Sequence, residues 1–498
     1  MKQLNKRGCG VLTPIFSLNG SYGIGTFGKQ AYRFVDFLRK AHQSYWQILP
    51  LGPTGFGDSP YACFSSFAGN IYFIDLDELI DQGYLKKSEV RGIKWCTSET
   101  TIDYQCLFYH RKPILMKAAQ RFLTTQSQEF TCFCEQNSAW LDDYATFMSL
   151  KEFHNNSAWN TWPKQYQDHT SDAVNEFKHQ HAQAIKCHKV LQYFFFTQYN
   201  ALKNYANANG IAIIGDIPIY VAYDSVDVWA NKPLFDLDKN YQPNRVAGCP
   251  PDGFSADGQL WGNPLYRWDY HKQTHYAWWM QRIKASLALY DALRLDHFRG
   301  FAAYYSIDAK TLDAKNGVWV NGPGTDFFAC VKETFPNATI IAEDLGYLDD
   351  NVKSLLDYCG YPGMKLLQFA FDTREPSHVL YYPYQYDKNC VAYTGTHDNS
   401  CINGWIHCLT KQDLTTCKKY LHIKRNDEVN EAMIATLLQS NANTAIVCIQ
   451  DLLKLDDSAR INTPNTIGTN WQWRLSGKDI NAKLANRLKE LTLLYHRD

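Results

Sequence analysis

The chain has 498 residues, which allows roughly three domains at about 150 residues each, although α/β barrels longer than that fold as one unit. Its 50 Lys and Arg balance 50 Asp and Glu, so the formal net charge is zero, which argues against nucleic acid as the main partner and leaves no polybasic segment for an anionic membrane. Apolar residues make up 45%, enough for a sizeable core, which argues against wholesale disorder.

Eight short apolar runs predict strands that are covered on both faces, because the runs are continuous rather than alternating. In chain order they are 45–51, 71–76, 211–221, 292–298, 339–345, 364–371, 390–396 and 444–453. Helical patterns lie between them, at 28–42, 107–125, 172–208, 270–289, 427–439 and 478–495. Strands that alternate with helices indicate a parallel sheet, and eight of them predict an α/β fold of the (β/α)₈ barrel type.

Two long excursions interrupt the alternation of strands and helices. Residues 80–205 are mostly helical and polar in pattern, and residues 224–269 are rich in Pro, Gly and Asp. Insertions in such barrels normally lie on the face that carries the active site. We therefore expect a single catalytic barrel over 1–498, with 80–205 as a largely helical insertion subdomain and 224–269 as a substrate-loop insertion.

Cysteines and apolar runs bear on the cellular compartment. Fifteen cysteines are scattered between Cys9 and Cys448, without a CxxC pair or the Cys/His spacing of a zinc site. A secreted chain would normally pair this many thiols, so we expect a reducing cytoplasm. The N-terminal segment is too short and too interrupted by Gly and Pro for a signal peptide. The longest apolar stretch, 211–221, contains Asp216 and falls short of the about 20 residues of a membrane span.

Aromatic residues are unusually frequent. Tyr, Phe and Trp number 32, 27 and 14, and Tyr is more frequent than Gly, of which there are 29. Tyr and Trp suit surfaces that are apolar on one side and wet on the other. The excess is compatible with a ligand that has apolar faces and many hydroxyls, although a bulky core would need the same residues.

Three acidic residues stand at the C-terminal ends of predicted strands. Asp296 follows one in ALRLDHFRG, Glu343 in TIIAEDLG and Asp398 in YTGTHDN. Catalytic groups of barrel enzymes lie at these ends, and an unpaired buried charge is costly. One such acid alone could cap the next helix, which Asp does well. Three of them, each after an apolar run, favour a catalytic site.

The neighbours of these acids suggest distinct roles. Arg294 lies two residues before Asp296, so on a strand the two side chains point to the same face. The guanidinium there would hold Asp296 ionised, as a nucleophile requires. Partial burial after the apolar run would favour the protonated form of Glu343, as a general acid requires. His397, next to Asp398, could bond a substrate hydroxyl. This division of labour is that of a retaining glycosidase, with two carboxyls about 5–5.5 Å apart.

Seven sequence blocks, spread over most of the chain in a fixed order, carry a family resemblance. They are 49–70, 215–231, 247–269, 293–301, 340–346, 393–399 and 462–475, and they include LPLGPTGFGDSPYACFSSFAGN, GDIPIYVAYDSVDVWAN and NTPNTIGTNWQWRL. The chain closely resembles the 4-α-glucanotransferases called amylomaltase or disproportionating enzyme, relatives of the α-amylase superfamily. The stretch 80–205 contains no matching block.

The resemblance implies a (β/α)₈ barrel with inserted subdomains, and it implies α-1,4-glucans and malto-oligosaccharides as partners. Asp296 would be the nucleophile, Glu343 the acid/base and Asp398 the stabiliser of the transition state, chemistry for which no metal or organic cofactor is needed. The sugar contacts that the resemblance or the loop chemistry suggests are Tyr61, Asp216, Asp252, Gln259, Trp261, Asn263, Arg294, His297, His397 and Asn465.

The sequence departs from the family pattern beside the expected substrate path. Cys249 stands where the family often has an aliphatic residue, Gly253 where an aromatic is common, and Phe56 where Tyr is frequent. These positions concern the preferred glucan length rather than the chemistry. Tyr61 and Trp261 are predicted to stack on sugars, although each could instead pack against its own loop.

Two other functions remain open at this point. An α-glucan hydrolase on the same scaffold would use identical carboxylates and differ only in its control of the acceptor. A non-catalytic glucan-binding protein would be expected to lack one of the three carboxylates, and all three are present. The sequence carries no signal for the oligomeric state, for the formation of cyclic glucans or for a role of the cysteines.

Overall fold

The computed structural model describes residues 4, 6–55, 57–251, 257–346, 348–374 and 377–498. Over these residues the strands are β1 Gly8–Leu12, β2 Tyr45–Gln47, β3 Ala212–Pro218, β4 Arg245–Cys249, β5 Gln259–Pro264, β6 Ala292–Asp296, β7 Ala303–Asp308, β8 Val318–Asn321, β9 Ile340–Ala342, β10 Gly363–Leu366, β11 Cys390–Tyr393 and β12 Thr444–Cys448.

The helices of the same ranges are α1 Lys29–Lys40, α2 Leu76–Asp81, α3 Lys87–Val90, α4 Tyr104–Cys106, α5 Lys112–Phe122, α6 Gln128–Gln136, α7 Ser138–Phe153, α8 Lys164–Gln167, α9 Asp172–Gln180, α10 Ala182–Ala208, α11 Val226–Ala230, α12 Trp268–Gln273, α13 Ala277–Leu289, α14 Arg299–Ala302, α15 Gly324–Thr334, α16 Asp350–Cys359, α17 Ile402–Trp405, α18 Lys411–Tyr420, α19 Val429–Gln439, α20 Ile449–Leu452 and α21 Ala482–Leu494. Short 3₁₀ turns occupy Ile15–Ser17, Ile71–Phe73, Trp159–Thr161, Lys232–Leu234, Leu367–Phe371, His378–Tyr381, Pro383–Gln385, Asn426–Glu428 and Asp457–Ala459, and a π turn occupies Leu107–Arg111.

A parallel sheet forms the centre of the molecule, with strands in the order β10, β11, β12, β1, β2, β3, β6, β9. Its two ends meet, because the N–H of Ala342 donates to the carbonyl of Pro362 (3.0 Å) and the N–H of Met364 donates to Oδ1 of Asp344 (2.6 Å). The sheet therefore closes into the predicted (β/α)₈ barrel.

Side chains of the barrel strands alternate between two cores, as the two-residue period of a strand requires. Ile214, Ile341 and Tyr393 belong to a cluster of inward-facing residues that fills the barrel. Their neighbours Ile213 and Ala342 belong to the larger cluster between the sheet and the helices. This double burial explains why the strands appear in the sequence as continuous apolar runs.

Seven of the predicted runs contain a barrel strand, whereas the prediction of a strand at 71–76 is wrong. Asn70 caps a 3₁₀ turn there by accepting from the N–H of Tyr72 (3.0 Å), and Asp75 caps α2 by accepting from the N–H of Glu78 (3.1 Å). Capping side chains on both sides of a short apolar run favour helical turns over a strand.

The missing barrel strand is β1, which the sequence analysis did not predict. Its sequence, GCGVL, contains two glycines, which are depleted in strands. A Cβ on Gly10 would lie 2.4 Å from the carbonyl oxygen of Tyr45, so this close approach of β1 to β2 requires glycine.

All six predicted helical stretches contain helices, two of them interrupted. The stretch 172–208 divides at His181 into α9 and α10. The stretch 270–289 divides between α12 and α13, where His275 and Tyr276 have positive φ angles of 50° and 53°. A left-handed backbone cannot continue a right-handed helix.

The long excursions carry their own elements. Helices α2 to α10 lie between β2 and β3. Strands β4 and β5 of the second excursion join β7 and β8, which lie outside both excursions, in a separate antiparallel sheet with the order β5, β4, β7, β8. The division of the chain into a barrel and two inserted units stays a prediction. Within the described residues, no helix has both the length and the apolar character needed to cross a membrane, and no disulfide joins any of the fifteen cysteines.

Candidate active site

The floor of the site is a buried charge cluster on β3 and β6. Asp216 continues the inward face of β3, and Arg294 and Asp296 continue that of β6. The Nη1 atom of Arg294 lies 2.7 Å from Oδ2 of Asp216 and 2.8 Å from Oδ1 of Asp296. The shared face expected for Arg294 and Asp296 is therefore confirmed, and one guanidinium nitrogen serves two carboxylates.

Burial is the largest influence on the pKa values of the two carboxyl groups in this floor, Asp216 and Asp296. Asp216 is fully buried, and the loss of hydration raises its pKa to about 7 although Arg294 acts in the opposite direction. Burial also raises the pKa of Asp296, Arg294 lowers it, and the charges of Glu343 and Asp398 raise it further. Arg294 contacts Asp296 as expected, but its attraction is outweighed by burial and by the neighbouring carboxylates.

Glu343 directly follows β9 and is held by backbone donors. The N–H of His297 donates to Oε2 (2.7 Å), and the N–H of Leu345 donates to Oε1 (2.9 Å). His297 has a φ of 52°, a left-handed conformation that is uncommon for a residue with a side chain. This conformation accompanies the N–H contact that fixes Glu343, so the turn after β6 positions the carboxyl after β9.

Asp398 lies in the loop after β11 and is held on both carboxylate oxygens. Asn462 donates its Nδ2 to Oδ1 (2.6 Å), and Nε2 of His397 lies 3.2 Å from Oδ2. Arg460 donates to the backbone carbonyl of Asp398 (2.6 Å). The sequence analysis missed Asn462 and Arg460. Asn462 opens the family block 462–475, which is the signal that points to it, whereas nothing in the sequence singles out Arg460.

The two histidines beside these acids are neutral near pH 7. Burial lowers the pKa of His297 to about 4 and lowers the pKa of His397, in each case against the attraction of the neighbouring carboxylates. Nε2 of His297 is buried and has no hydrogen-bond partner among the described residues. A neutral ring nitrogen of this kind is available to a ligand hydroxyl.

These groups share one open cleft of about 730 Å³. The predicted residues that line it are Tyr61, Gln259, Trp261, Asn263, Asp296, His297, Glu343, His397, Asp398 and Asn465. Asp216 and Arg294 lie beneath it, in contact with Tyr61 and Asp296 respectively. Asp252, with Phe56 and Gly253, lies outside the described residues.

Aromatic rings form two parts of the cleft wall. The ring of Tyr61 stacks on His397 at 5.2 Å and 10°, and its hydroxyl donates to Oδ2 of Asp216 (2.8 Å). Trp261 is half-buried, and its ring meets that of His297 edge-on at 4.9 Å. Trp471, which the sequence analysis did not single out, packs near Tyr61 and His397 and also lines the cleft.

Two of the predicted polar contacts already have partners. Gln259 accepts at Oε1 from the indole N–H of Trp261 (3.0 Å), and Asn263 donates its Nδ2 to the carbonyl of Val221 (2.8 Å). Each amide keeps its other polar atom for a ligand.

The cleft combines three carboxylates with neutral polar groups and rings. Paired carboxylates between which a sugar is bound are the machinery of glycosidic bond cleavage. In the part of the chain that the structure describes, no three His, Cys, Asp or Glu side chains converge in a way that could hold a metal ion.

The chain as a whole is similar to known proteins. A family model described as 4-alpha-glucanotransferase matches residues 13–480. The 4-alpha-glucanotransferase of Clostridium butyricum is 46% identical over 97% of this chain and 99% of its own, and that of Thermus thermophilus is 41% identical over 97% and 98%. The structure of the amylomaltase from Streptococcus agalactiae in complex with acarbose matches with a TM-score of 0.96 and 44% identity, over 99% of this chain and 100% of that one.

Proposed function

The chain belongs to the 4-alpha-glucanotransferase family, and from that premise we propose how its own residues carry out the transfer of an α-1,4-glucan segment. Asp296 is the nucleophile, Glu343 is the general acid and base, and Asp398 stabilises the transition state. The observation that carries these roles is that Asp296, Glu343 and Asp398 line one cleft, in which the other described lining residues are uncharged.

The first half of the reaction forms a covalent intermediate. Protonated Glu343 gives its proton to the glycosidic oxygen, the bond from that oxygen to the anomeric carbon breaks, and the leaving chain departs with a free 4-hydroxyl. An oxygen of Asp296 forms a bond to the anomeric carbon, which gives a glycosyl ester. The bond from Arg294 to Asp296 orients the attacking carboxylate.

The second half of the reaction transfers the bound segment. Glu343, now ionised, takes the proton from the 4-hydroxyl of an acceptor sugar, whose oxygen attacks the anomeric carbon and releases Asp296. A new α-1,4 bond results, and two inversions retain the α configuration. The backbone bonds from His297 and Leu345 keep the Glu343 carboxyl in one orientation through both steps.

Asp398 acts on the sugar ring rather than on the bond that breaks. Its carboxylate, fixed by Asn462 and His397, accepts from ring hydroxyls more strongly as the sugar flattens toward the oxocarbenium-like state. The free Nε2 of His297 supports a further hydroxyl contact. These contacts lower the barrier more than they tighten substrate binding.

Transfer also requires that an acceptor sugar compete with water. Trp261 supplies an apolar face on one wall and the Tyr61–His397 stack supplies another, which supports a bound sugar that excludes water from the ester. The similar amylomaltase from Streptococcus agalactiae is described as a complex with acarbose, which supports an α-glucan as the ligand of this cleft. The fifteen cysteines, which form no disulfide in the described part of the chain, support a cytoplasmic location.

The test is to incubate the protein with maltotriose and to separate the products. Glucose together with chains longer than maltotriose is expected, since transfer lengthens one molecule at the expense of another. Glucose and maltose alone would identify a hydrolase, and unchanged maltotriose would identify a binding protein.

Asp296→Asn is expected to abolish transfer while the circular dichroism spectrum and glucan binding remain. Wild-type turnover by this variant would show that the nucleophile is another residue.

A further inference from the structure

A second groove lies far from the carboxylates, between α18 and α19 and the turn before β11. It has a volume of about 730 Å³. The side chains in it that concern a ligand are Tyr384, Tyr420, His422, Thr436, Gln439 and Asn441. We call it the α18–α19 groove.

Three tyrosines form an aromatic platform at this groove. The ring of Tyr382 stacks on that of Tyr384 at 5.7 Å and 20°, and it contacts the ring of Tyr420 at 5.0 Å. Tyr384 is 67% exposed, a large value for an aromatic side chain that another ring already holds in place. A ring that is both fixed and exposed offers an apolar face at little cost in side-chain entropy.

Neutral hydrogen-bonding groups lie beside the platform. The side chains of Thr436, Gln439 and Asn441 line the groove, and within the described ranges none of them has a hydrogen-bond partner. No Asp, Glu, Lys or Arg is among the described lining residues, although such residues make up 20% of the chain. Rings next to uncharged donors and acceptors match a ligand with apolar faces and many hydroxyls, and they match neither a phosphate nor a charged peptide.

Topology places the groove at the opposite end of the barrel from the cleft. Tyr384 precedes β11 and Asn441 precedes β12, so both lie near the N-terminal ends of barrel strands. Asp296 and Glu343 lie at the C-terminal ends. One ligand can therefore occupy both places only if it is a long polymer.

We propose that the α18–α19 groove is a second carbohydrate-binding site, which holds a remote part of a long α-glucan while another part lies in the catalytic cleft. The proposal takes its ligand from the transferase activity. Two linked contacts raise the apparent affinity for a polymer, because the second contact forms at a high effective concentration. Short malto-oligosaccharides cannot reach both sites and gain nothing.

The test compares polymer with oligosaccharide. Binding is measured as retardation in native gels that contain amylose, with Glu343→Gln present in every protein so that the polymer is not remodelled. Tyr384→Ala and Gln439→Ala are expected to weaken amylose binding by at least about fivefold, since linked sites gain more than that. Tyr109→Ala, which removes another exposed tyrosine (62%) outside the groove, is expected to have no effect.

Kinetics of the active enzyme supply the second readout. Tyr384→Ala is expected to raise KM for amylose by the same factor and to leave KM for maltotriose unchanged. Unaltered amylose binding, or equal shifts of both KM values, would overturn the proposal. A change of oligomeric state in light scattering without a change in amylose binding would instead identify the groove as an interface between copies. Since the unmodified protein's turnover of maltotriose is measured separately, a failure here leaves the transferase mechanism intact.

Discussion

Arg294 is the residue on which the chemistry of the catalytic floor depends. Its Nη1 atom contacts both Asp216 and Asp296, and its side chain is only 4% exposed. Two carboxylates that share one guanidinium, with burial that disfavours charge, form a coupled set whose titration belongs to the group as a whole. Arg294 lowers the pKa of the Asp296 carboxyl, but burial and the charges of Glu343 and Asp398 raise it by more, so the net direction is upward.

The pH dependence of the reaction follows from this balance. In the proposed mechanism Asp296 must be ionised to attack. Since its pKa is raised, activity is expected to fall with decreasing pH at a point above the about 3.9 of an ordinary Asp. Arg294→Gln removes the influence that lowers this pKa, so the acid limb of kcat/KM for maltotriose should move to higher pH. Arg267→Gln, at a position whose side chain is 46% exposed, is the control and should leave the limb in place. An unmoved limb in Arg294→Gln would contradict the assigned role of the guanidinium.

The site residues that lie at the ends of strands could be predicted from the sequence, because the strands themselves could be predicted. Asp296, Glu343 and Asp398 each follow an apolar run, and parallel strands bring their C-terminal ends to one face. Asn462 supports Asp398 from 64 residues further along the chain, on a loop without a periodic pattern. Such a contact depends on how two loops fold against each other, so only the family block pointed to it.

At the scale of elements, α7 and the turn after it support one wall of the cleft. Lys151, whose side chain is 2% exposed, contacts Oδ2 of Asp224 at 2.6 Å. The backbone N–H of Trp159 donates to Oδ1 of the same carboxylate (3.1 Å), and its indole donates to the carbonyl of Tyr223 (2.7 Å). Tyr223 lines the cleft, so this part of the predicted 80–205 insertion holds a substrate-facing segment in place.

Breaking this link is expected to affect both stability and substrate binding. Lys151→Met should lower the free energy of unfolding by about 3 kcal/mol, because it leaves the partly buried carboxylate of Asp224 without its cation. It should also raise KM for maltotriose more than it lowers kcat. The measurements are urea unfolding and steady-state kinetics, with Lys353→Met as the control at a salt bridge whose lysine is 61% exposed.

A double-variant cycle separates the pair from its surroundings. Lys151→Met combined with Asp224→Asn should cost less than the sum of the two single changes, because the double variant buries no unpaired charge. Strict additivity would mean that Lys151 stabilises the wall by packing on Phe64, 4.7 Å from its ammonium group, and not through the carboxylate.

The strands illustrate what a local pattern can and cannot predict. A continuous apolar run predicts burial on both faces, which is why most of the barrel strands were found. The run 71–76 is also apolar, but Asn70 and Asp75 cap helical turns there, so the segment does not form a strand. Strand β1 is hidden by glycines whose purpose, a close approach to Tyr45, exists only once the neighbouring strand is in place.

For the whole molecule, Arg497 ties the base of the barrel together. It is fully buried, and it donates to the carbonyls of Leu438 (2.6 Å), Gly8 (3.0 Å) and Ser440 (3.0 Å). Gly8 begins β1, and residues 438 and 440 lie at the end of α19 before β12. One guanidinium thus joins the segments that frame the β1–β12 ladder.

Loss of this side chain should destabilise the fold without altering the chemistry. Arg497→Leu removes a buried donor from the carbonyls of Gly8 and Ala442, whereas those of Leu438 and Ser440 keep a donor in Arg7. The change is expected to lower the free energy of unfolding by about 3 kcal/mol, as judged from the cost of unsatisfied buried groups. Denaturant unfolding measures the change, while kcat on maltotriose at a temperature below the transition should stay at the wild-type value. Arg425→Leu, at a side chain that is 69% exposed, is the control. Equal stability of the two variants would show that the base does not need Arg497.

The high aromatic content of the chain reflects the packing of the whole molecule more than it reflects the ligand. Most of the aromatic excess packs the interior, as the buried Trp46, Trp159, Trp229 and Trp279 illustrate, and Phe194 and Phe195 are buried on α10. Only a few rings face the cleft. The described residues that line the cleft beside the three carboxylates are neutral, and the cation that contacts Asp296, Arg294, lies beneath the cleft. A neutral polymer needs no electrostatic steering, so the balance of charges was informative before any motif was considered.

The barrel closes between β9 and β10, the two end strands of the sheet, and we call this closure the seam. Neighbouring strands elsewhere share ladders, whereas the described bonds across the seam are those from Ala342 to Pro362 and from Met364 to the side chain of Asp344. Local opening costs the least free energy where the fewest hydrogen bonds must break. The seam should therefore open more often than the β1–β12 ladder, and the backbone amides of the seam should exchange their hydrogens faster. Glu343 stands directly on the seam. A glucan bound between Glu343 and Asp398 would therefore stabilise the seam while it is bound. Each catalytic cycle would then restrict local opening of the seam and permit it again on product release.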